Sequence, residues 1–392
     1  MHIVLTILLV VLSALFCIYL FLICVNSGPV KVVGRNKKAL AFLGKGDAQI
    51  THWVHWKYGI NAMYNTAAAF TQNRSKYRPE PELVKGADGG DFRIDWFVNP
   101  VKTELPANTP IVVIAHGLSG GSNEPMVQKL GLRLSTELGY RVGCVIFRGC
   151  CGLKLSTMRM YNGGYTEDFH IALKLISERY PNAPISLVGF SLGGNMIGKY
   201  LGERTSKNHP FLEYDHIKNP SPIPANVKNA ICVGCPFDLV KMDKLMKDDA
   251  QLFNGKGIVK YIQKHEYIFK KLPQYEPFFQ KGDFRTRTID ATFTAPLFGY
   301  PDTETFYRDA SCSTFFDGIK IPTLFISSMN DPISLKEALD IDMIDANPNT
   351  SLLLTRGGGH LGFFSFLKTS VCFDEDIIIQ SLEHDYHLAK TE

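Results

Sequence analysis

Ser191 lies in the pattern Gly-x-Ser-x-Gly, between Gly189 and Gly193. This pattern is typical of a nucleophile elbow, a strained turn that holds a serine hydroxyl above a sheet and at the positive end of a helix. A serine in that position can attack a carbonyl carbon and generate an oxyanion. The alternative is a chance match in a glycine-containing loop, because short motifs occur often.

A serine hydroxyl needs a base to take its proton and an acid to orient that base. His360, in a glycine-rich run after the last apolar stretch, is the best candidate for the base. Asp331, which follows the apolar run 323–327, is the best candidate for the acid, with Asp302 and Asp309 as fallbacks. The chain order serine, aspartate, histidine is that of α/β hydrolases. The alternatives are a surface-loop histidine and an ordinary turn aspartate before a proline.

An oxyanion needs two preorganised N–H donors. The backbone N–H of Leu192, next to the candidate nucleophile, is expected to be one of them. The second is expected from Leu118, in the loop 116–121 that follows the apolar run 111–115. We interpret His116 in that loop as structural, with its backbone position mattering more than its ring. The alternative is a flexible glycine loop.

Two other motifs are interpreted as structural. Cys232 and Cys235 have Cys-x-x-Cys spacing, but no second pair stands at zinc-site distance and the thioredoxin-like context is missing. We therefore expect buried thiols. The three glycines before His360 lack the Lys-Ser/Thr ending of a phosphate-binding loop. Neither a cofactor nor a metal ion is expected.

The elements that must position these residues alternate between strand and helix from residue 111 onward. This alternation predicts an α/β fold, with a mostly parallel central sheet flanked by helices and the site at the carboxyl ends of the strands. Helices are predicted at 130–138 and 166–179, the second with Thr166 as its N-cap. A hairpin is predicted around Asp88-Gly89-Gly90. The predicted strands are 82–84, 92–97, 111–115, 142–147, 185–188, 227–233, 323–327 and 351–355.

The alternation stops between about residues 237 and 320, which predicts an insertion positioned to act as a helical lid. Within it, 257–271 is predicted to be an amphipathic helix. Its apolar face would carry Ile258, Tyr261, Ile262, His265, Ile268, Phe269 and Leu272. The alternative is that these residues are simply core under a loop.

The N-terminus is apolar from residue 3 to residue 25, which is long enough to cross a bilayer as a helix. A cleaved signal peptide is the alternative, but no Lys or Arg precedes the apolar run. We therefore predict a transmembrane anchor at 1–28, a membrane-proximal segment at 29–80 and a hydrolase domain at 81–392.

The charges around this segment bear on orientation. Lys31, Arg35, Lys37 and Lys38 follow the apolar run, which favours a cytoplasmic catalytic domain on an endoplasmic reticulum or other endomembrane. The odd number of cysteines, 9, agrees, since it does not suggest a disulfide framework. The glycosylation sequons at 73–75 and 349–351 count against it only weakly. The net charge of +4 and the lack of a binding motif argue against nucleic acid as a partner.

Together these residues resemble a known family, the membrane-anchored α/β-hydrolase-domain lipases and esterases. It includes animal phospholipases and acylglycerol lipases, plant embryogenesis-associated proteins and bacterial relatives. The resemblance implies a charge-relay triad at Ser191, Asp331 and His360 and a single N-terminal anchor. It runs from about residue 53 to residue 384, and its most specific motifs are Asp88-Gly89-Gly90 with Asp95-Trp96, His116-Gly117-Leu118, 189–195, Phe298-Gly299-Tyr300, Asn330-Asp331-Pro332 and 358–364.

The chain departs from this family in two places. Some relatives carry a His-x-x-x-x-Asp element linked to acyl transfer, and the element does not occur in this sequence. An acyltransferase role therefore loses support. The acid site reads Asn330-Asp331 where many relatives have two acids, which leaves Asp331 as its only carboxylate.

We therefore expect a membrane-bound serine hydrolase that cleaves acyl esters of lipids, either phospholipids or acylglycerols, through an acyl-enzyme. An anchor beside the bilayer and a lid rich in Phe, Tyr, Ile and Lys both suit a lipid substrate. A short-chain carboxylesterase or an acyl-thioesterase could use the same triad. A non-catalytic lipid-binding scaffold is the alternative of another class, although it has no need of all three residues.

Overall fold

The computed structural model of the chain describes residues 2–34, 50–72, 75–99, 104–206 and 221–391. Three of the basic residues that follow the apolar run lie outside these ranges: Arg35, Lys37 and Lys38. So do the first two positions of the sequon at 73–75. Within the described ranges the strands are β1 (Gly28–Pro29), β2 (Lys31–Gly34), β3 (Thr51–His52), β4 (Glu80–Lys85), β5 (Asp91–Phe97), β6 (Ile111–Ala115), β7 (Arg141–Ile146), β8 (Ile185–Phe190), β9 (Val227–Val233), β10 (Thr323–Ser328) and β11 (Thr350–Thr355).

Nine of these strands form one sheet in the order β2-β11-β10-β9-β8-β6-β7-β5-β4. The strands from β11 to β7 in this order are parallel, and β2, β5 and β4 are antiparallel to their neighbours. Every residue of β6, β8, β10 and β11 is buried, as expected for parallel strands covered on both faces. The predicted mostly parallel sheet is confirmed.

Helices form the N-terminal apolar run, flank the sheet and build the segment between β9 and β10. They are α1 (His2–Asn26), α2 (Ala62–Thr71), α3 (Pro125–Leu132), α4 (Glu167–Arg179), α5 (Leu192–Glu203), α6 (Leu239–Leu245), α7 (Asp248–Lys264), α8 (Glu266–Phe269), α9 (Tyr275–Lys281), α10 (Thr286–Ile289), α11 (Ala295–Leu297), α12 (Thr303–Ala310), α13 (Ile341–Ala346) and α14 (Phe373–Thr391).

Two helix predictions need correction at their N-termini. The helix predicted at 130–138 begins at Pro125, which suits a first helical turn, and continues past α3 as a π-helical turn to Glu137. Thr166 precedes α4 as predicted, but its side chain does not cap the helix. Its hydroxyl instead donates a hydrogen bond to the Glu203 carboxylate, because both groups are buried and need a partner.

The amphipathic helix predicted at 257–271 is divided at His265. α7 begins at Asp248, earlier than predicted, and α8 follows after His265 takes a non-helical conformation. The predicted apolar face is nevertheless buried, apart from a half-buried Leu272. The His265 ring contacts the Gly149 carbonyl oxygen at 2.8 Å, and the Tyr261 hydroxyl donates to the Arg148 carbonyl at 2.9 Å. These two bonds fix α7 to the loop that follows β7.

The N-terminal apolar run forms α1, the one helix in the described ranges that is long and apolar enough to cross a bilayer. Its mean hydropathy is 3.1, and only 6% of the apolar window is buried. Residues 31–34, which the sequence assigned to the membrane-proximal segment, form β2 at the edge of the main sheet. There Val33 pairs with Leu352 of β11. The end of α1 is thereby fixed close to the sheet.

Candidate active site

Ser191 occupies a sharp turn between β8 and α5. Its backbone has φ 52° and ψ −119°, a conformation that costs a non-glycine residue on the order of 1–3 kcal/mol. The turn is possible because its neighbours lack side chains. A Cβ at Gly193 would overlap the Ala115 carbonyl group, and one at Gly189 would lie 2.5 Å from the Gly193 oxygen. The strand, turn and helix therefore have the arrangement expected of a nucleophile elbow.

The structure brings together the predicted nucleophile, base and acid. His360 Nε2 lies 2.7 Å from Ser191 Oγ, and His360 Nδ1 lies 2.8 Å from Asp331 Oδ2. The other carboxylate oxygen of Asp331 accepts the N–H groups of Ile333 and Ser334, both at 2.8 Å. A carboxylate held in this way can accept a hydrogen bond from the Nδ1–H group of the imidazole, which leaves Nε2 free to accept the serine proton.

The two fallback acids lie in other settings. Asp302 caps α12 by accepting the Thr305 N–H at 2.7 Å. Asp309 is buried and accepts the Tyr300 hydroxyl at 2.5 Å. Neither carboxylate is hydrogen-bonded to His360, so Asp331 is the acid that the geometry favours.

Leu118 and Leu192 both line the cleft that contains Ser191. Leu192 is the first residue of α5, where a helical N–H has no acceptor within the helix. Leu118 lies in the turn closed by the bond from Gly120 N to the Gly117 carbonyl at 3.1 Å. This turn is held by the Glu124 carboxylate, which accepts the Gly117 N–H at 3.2 Å and was not anticipated from the sequence.

The His116 ring supports this loop more directly than the sequence suggested. Its Nε2 accepts the Phe147 N–H at 3.2 Å, and its Nδ1 lies 2.7 Å from the Gly117 carbonyl oxygen. Burial lowers the pKa of His116 to about 4, so the ring is neutral near pH 7 and uses one nitrogen as acceptor and the other as donor. The ring thereby joins the loops that follow β6 and β7.

The loop that carries His360 rests on α2, a contact that the sequence did not reveal. Thr66 Oγ1 accepts the His360 N–H at 2.8 Å and donates to the Ala62 carbonyl at 2.8 Å. Asn65 Nδ2 donates to the Gly362 carbonyl at 2.8 Å. A Cβ at Gly359 would lie 2.7 Å from the Ala62 oxygen, so only glycine allows this approach. The available signal was the polar pair Asn65-Thr66 beside an alanine-rich run.

Replacing Thr66 by valine is expected to lower kcat by about tenfold, because a small misplacement of the base is costly. The change removes the acceptor of a buried N–H, which also costs about 1–3 kcal/mol of stability. Thr71→Val, at an exposed threonine of the same helix, is the matched control. Steady-state kinetics and thermal unfolding check both variants, with Thr66→Ser as the conservative rescue. Equal kcat for Thr66→Val and Thr71→Val would contradict this role.

Asn330 joins three parts of the site. Its Oδ1 accepts the Gly359 N–H at 2.9 Å and the Ser328 hydroxyl at 2.7 Å. Its Nδ2 donates to Asn26 Oδ1, at the end of α1, at 3.1 Å. A carboxylate at this position could accept the first two bonds but could not donate the third. The amide therefore connects the acid loop, the base loop and the N-terminal helix.

The cleft beside Ser191 is partly open to solvent and has a cavity volume of about 120 Å³. The inserted helices supply much of its wall, including Met242 of α6, Ile258 of α7 and Phe306 of α12. Asp290 also lines the cleft, and burial raises its pKa to about 6. Its two carboxylate oxygens accept the hydroxyls of Thr294 and Tyr307. The cleft is mainly apolar, with a hydrogen-bonded polar group in its wall.

Cys232 and Cys235 are buried, as predicted. Burial raises the pKa of both thiols well above its usual value, so they stay protonated near neutral pH. Cys235 Sγ lies 3.7 Å from Cys312 Sγ, and both are free thiols. These cysteines pack in the core beside the elbow.

Several characterised proteins have similar sequences. Phospholipase ABHD3 of Homo sapiens is 33% identical over 323 residues, which cover 79% of this chain and 73% of that protein. Monoacylglycerol lipase of Saccharomyces cerevisiae is 30% identical over 299 residues, which cover 70% of this chain but only 62% of the yeast protein. Embryogenesis-associated protein EMB8 of Picea glauca is 27% identical over 309 residues, covering 76% of this chain and 64% of that protein. No family model matches the chain.

Similar folds occur among solved structures. Alpha/beta hydrolase domain-containing protein 10 from mouse has a TM-score of 0.46 at 14% identity, over 80% of this chain and all of that chain.

The parallel sheet and the serine turn after β8 define an α/β hydrolase. Given the identity to human phospholipase ABHD3 over most of both sequences, the chain belongs to the α/β-hydrolase lipase and esterase family. The resemblance inferred from the sequence motifs is confirmed, as are the predicted fold class and the prediction of an ester-hydrolysing enzyme.

Proposed function

We propose that this protein is a membrane-anchored serine hydrolase that cleaves acyl ester bonds of lipids. The observation that carries the proposal is the hydrogen-bonded series from Ser191 through His360 to Asp331, which opens onto a mainly apolar cleft. Two relatives of similar sequence support a lipid substrate, since one is a phospholipase and the other a monoacylglycerol lipase.

In the first half of the reaction, Ser191 Oγ attacks the ester carbonyl carbon while His360 Nε2 takes the hydroxyl proton. The oxyanion is held by the N–H groups of Leu192 and Leu118, and Asp331 stabilises the imidazolium. The tetrahedral intermediate then collapses, and His360 protonates the leaving alkoxide. The products are a free alcohol and an acyl group esterified to Ser191.

Water completes the cycle in the second half. His360 removes a proton from a water molecule, which attacks the acyl-enzyme carbonyl, and the same N–H groups hold the second oxyanion. Collapse of this intermediate returns the proton to Ser191 and releases a fatty acid. The apolar wall of the cleft, including Met242, Ile258 and Phe306, suits the acyl chain throughout.

The localisation proposal rests on α1. Its length, apolar composition and exposure suit a single transmembrane anchor, and Lys31 directly after it favours a cytoplasmic catalytic domain. An endoplasmic reticulum or other endomembrane is the compartment we propose. Protease protection in intact and opened microsomes would check the orientation.

A substrate panel tests the lipid assignment. The full chain in vesicles is expected to hydrolyse monoacylglycerol or phospholipid with a higher kcat/KM than a short, soluble ester. The reason is that each acyl methylene buried in the cleft contributes about 0.8 kcal/mol to transition-state binding. The Ser191→Ala variant is the negative control for turnover of every substrate. A preference for short esters or thioesters would contradict the lipid assignment. Lipid binding without turnover by a folded preparation would contradict the enzymatic role altogether.

A further inference from the structure

A group of large apolar side chains is exposed beside the end of α1. We define the aromatic patch as Trp53, Trp56, Tyr64, Phe366 and Leu367. The exposed fraction is 53% for Trp53, 46% for Trp56 and 72% for Leu367. Large exposed apolar groups that cluster mark an interaction surface more often than an ordinary face of a soluble protein.

The two segments that carry the patch are in direct contact. The Trp56 N–H donates to the Phe366 carbonyl at 3.0 Å. The ring of Tyr58 lies 5.3 Å from that of Tyr64 and 6.2 Å from that of Phe364. The segments around residues 53–64 and 364–371 therefore form one continuous surface.

This surface extends alongside the last turns of α1. The Tyr19 hydroxyl donates to the Trp56 carbonyl, and Ser27 Oγ accepts the Val54 N–H at 3.1 Å. Tyr19 lies seven residues before Asn26, which corresponds to about 10 Å along the helix axis. A surface that reaches this far along a spanning helix lies within the headgroup and upper acyl region of the bilayer.

The charge around the patch suits an anionic membrane. The segments 50–72 and 364–372 contain no Asp or Glu, whereas each contains one exposed lysine, Lys57 or Lys368. Lys57 Nζ lies 5.3 Å from the centre of the Tyr58 ring. Trp and Tyr beside Lys are the residues favoured at membrane interfaces, where amphipathic rings sit at the level of the headgroups.

We propose that the aromatic patch is a second membrane contact, inserted into the interfacial region of an anionic phospholipid bilayer beside α1. The proposal rests on the proposed anchor and adds a surface that fixes the orientation of the catalytic domain. α2 carries Tyr64 on its exposed face and holds the His360 loop through Thr66. The ring of Phe70, also in α2, lies 6.1 Å from that of Phe253 in α7. The docked surface and the cleft are thus joined by one helix.

Tryptophan fluorescence tests the proposal without requiring turnover. The chain has three tryptophans, Trp53, Trp56 and Trp96. Trp96 lies in β5, near the opposite edge of the sheet from β2, where its indole N–H donates to Glu82. Proteins that keep one tryptophan, with phenylalanine at the other two positions, are reconstituted into phosphatidylcholine–phosphatidylserine vesicles with brominated or unbrominated acyl chains.

Bromine is expected to reduce the fluorescence of Trp53 and Trp56 by about twofold or more, because both indoles would lie at the boundary between the headgroups and the upper acyl chains. The fluorescence of Trp96 is expected to stay unchanged. Quenching of Trp53 and Trp56 no stronger than that of Trp96 would overturn the proposal. A second copy of the chain or another protein covering the patch would give this same unquenched result. A separate measurement tests the proposed anchor: release of the full chain from the vesicles by alkaline carbonate would show that α1 does not span the bilayer.

A paired substitution tests the consequence for activity. Leu367→Ser is expected to raise the KM for lipid in vesicles several-fold and to leave kcat on a soluble ester unchanged. Leu83→Ser is the matched control, because Leu83 is also exposed, at 60%, but lies on the distant strand β4. Equal KM values for the two variants would count against the patch. Loss of turnover on every substrate by wild type, with quenching retained, would instead refute the proposed function alone.

Discussion

Replacing Ser191 by alanine is expected to lower ester hydrolysis on the order of 10⁵- to 10⁶-fold and to abolish labelling by a fluorophosphonate. Alanine keeps the backbone geometry of the turn but removes the hydroxyl oxygen that lies 2.7 Å from His360 Nε2. The remaining rate would come from the oxyanion donors and from substrate binding. Activity-based labelling and turnover, measured on protein with unchanged thermal unfolding, check this result.

Ser177→Ala is the matched control for that experiment. Ser177 lies on α4, where its hydroxyl donates to the Asn226 side chain at 2.7 Å. This variant should label and turn over substrate like wild type, because no atom of Ser177 is part of the proposed site. If Ser191→Ala still labels, or if wild type does not, Ser191 is not the nucleophile.

Replacing Asp331 by asparagine is expected to lower kcat about 10⁴-fold. The amide oxygen can still accept the N–H groups of Ile333 and Ser334, which turns the NH₂ group toward His360. The imidazole must then accept at Nδ1 and carry its proton at Nε2, which is the wrong tautomer for taking the proton of Ser191. Single-turnover kinetics measure the loss in the acylation step.

Asp302→Asn serves as the comparison for Asp331→Asn. The Asp302 carboxylate caps α12, and asparagine is an equally good N-cap, so near-wild-type activity and stability are expected. An Asp331→Asn enzyme that kept more than about a tenth of the wild-type kcat would be inconsistent with the orienting role.

Most of the sheet could be predicted because its central strands are uninterrupted apolar runs. β6 and β9 occur at the predicted residues, since 111–115 and 227–233 are bounded by clear turn signals. β2 was missed because a strand of four residues directly after an apolar helix has no periodicity of its own. The division at His265 was missed because it depends on bonds from His265 and Tyr261 to the distant loop after β7.

The candidate site likewise contains residues that could be predicted from the sequence and residues that could not. The grouping of Ser191, His360 and Asp331 could be predicted from motif and chain order, because a catalytic triad requires those residue types at strand ends. Thr66, Asn330 and Glu124 act through hydrogen bonds to backbone N–H groups, and many residue types can accept such a bond. The bond from Thr66 to His360 joins positions 294 residues apart, and nothing local to Thr66 indicates its partner.

The contact between Asn26 and Asn330 means that removing α1 would also alter the candidate active site. Deleting the N-terminal helix to ease purification would remove Asn26 Oδ1, which accepts a hydrogen bond from Asn330 Nδ2. The Oδ1 atom of the same Asn330 side chain accepts the N–H group of Gly359, next to His360. The proposed membrane anchor would thus also help to hold the loops that carry Asp331 and His360. We therefore expect a chain without α1 to have a lower kcat than the full chain, even on a soluble ester.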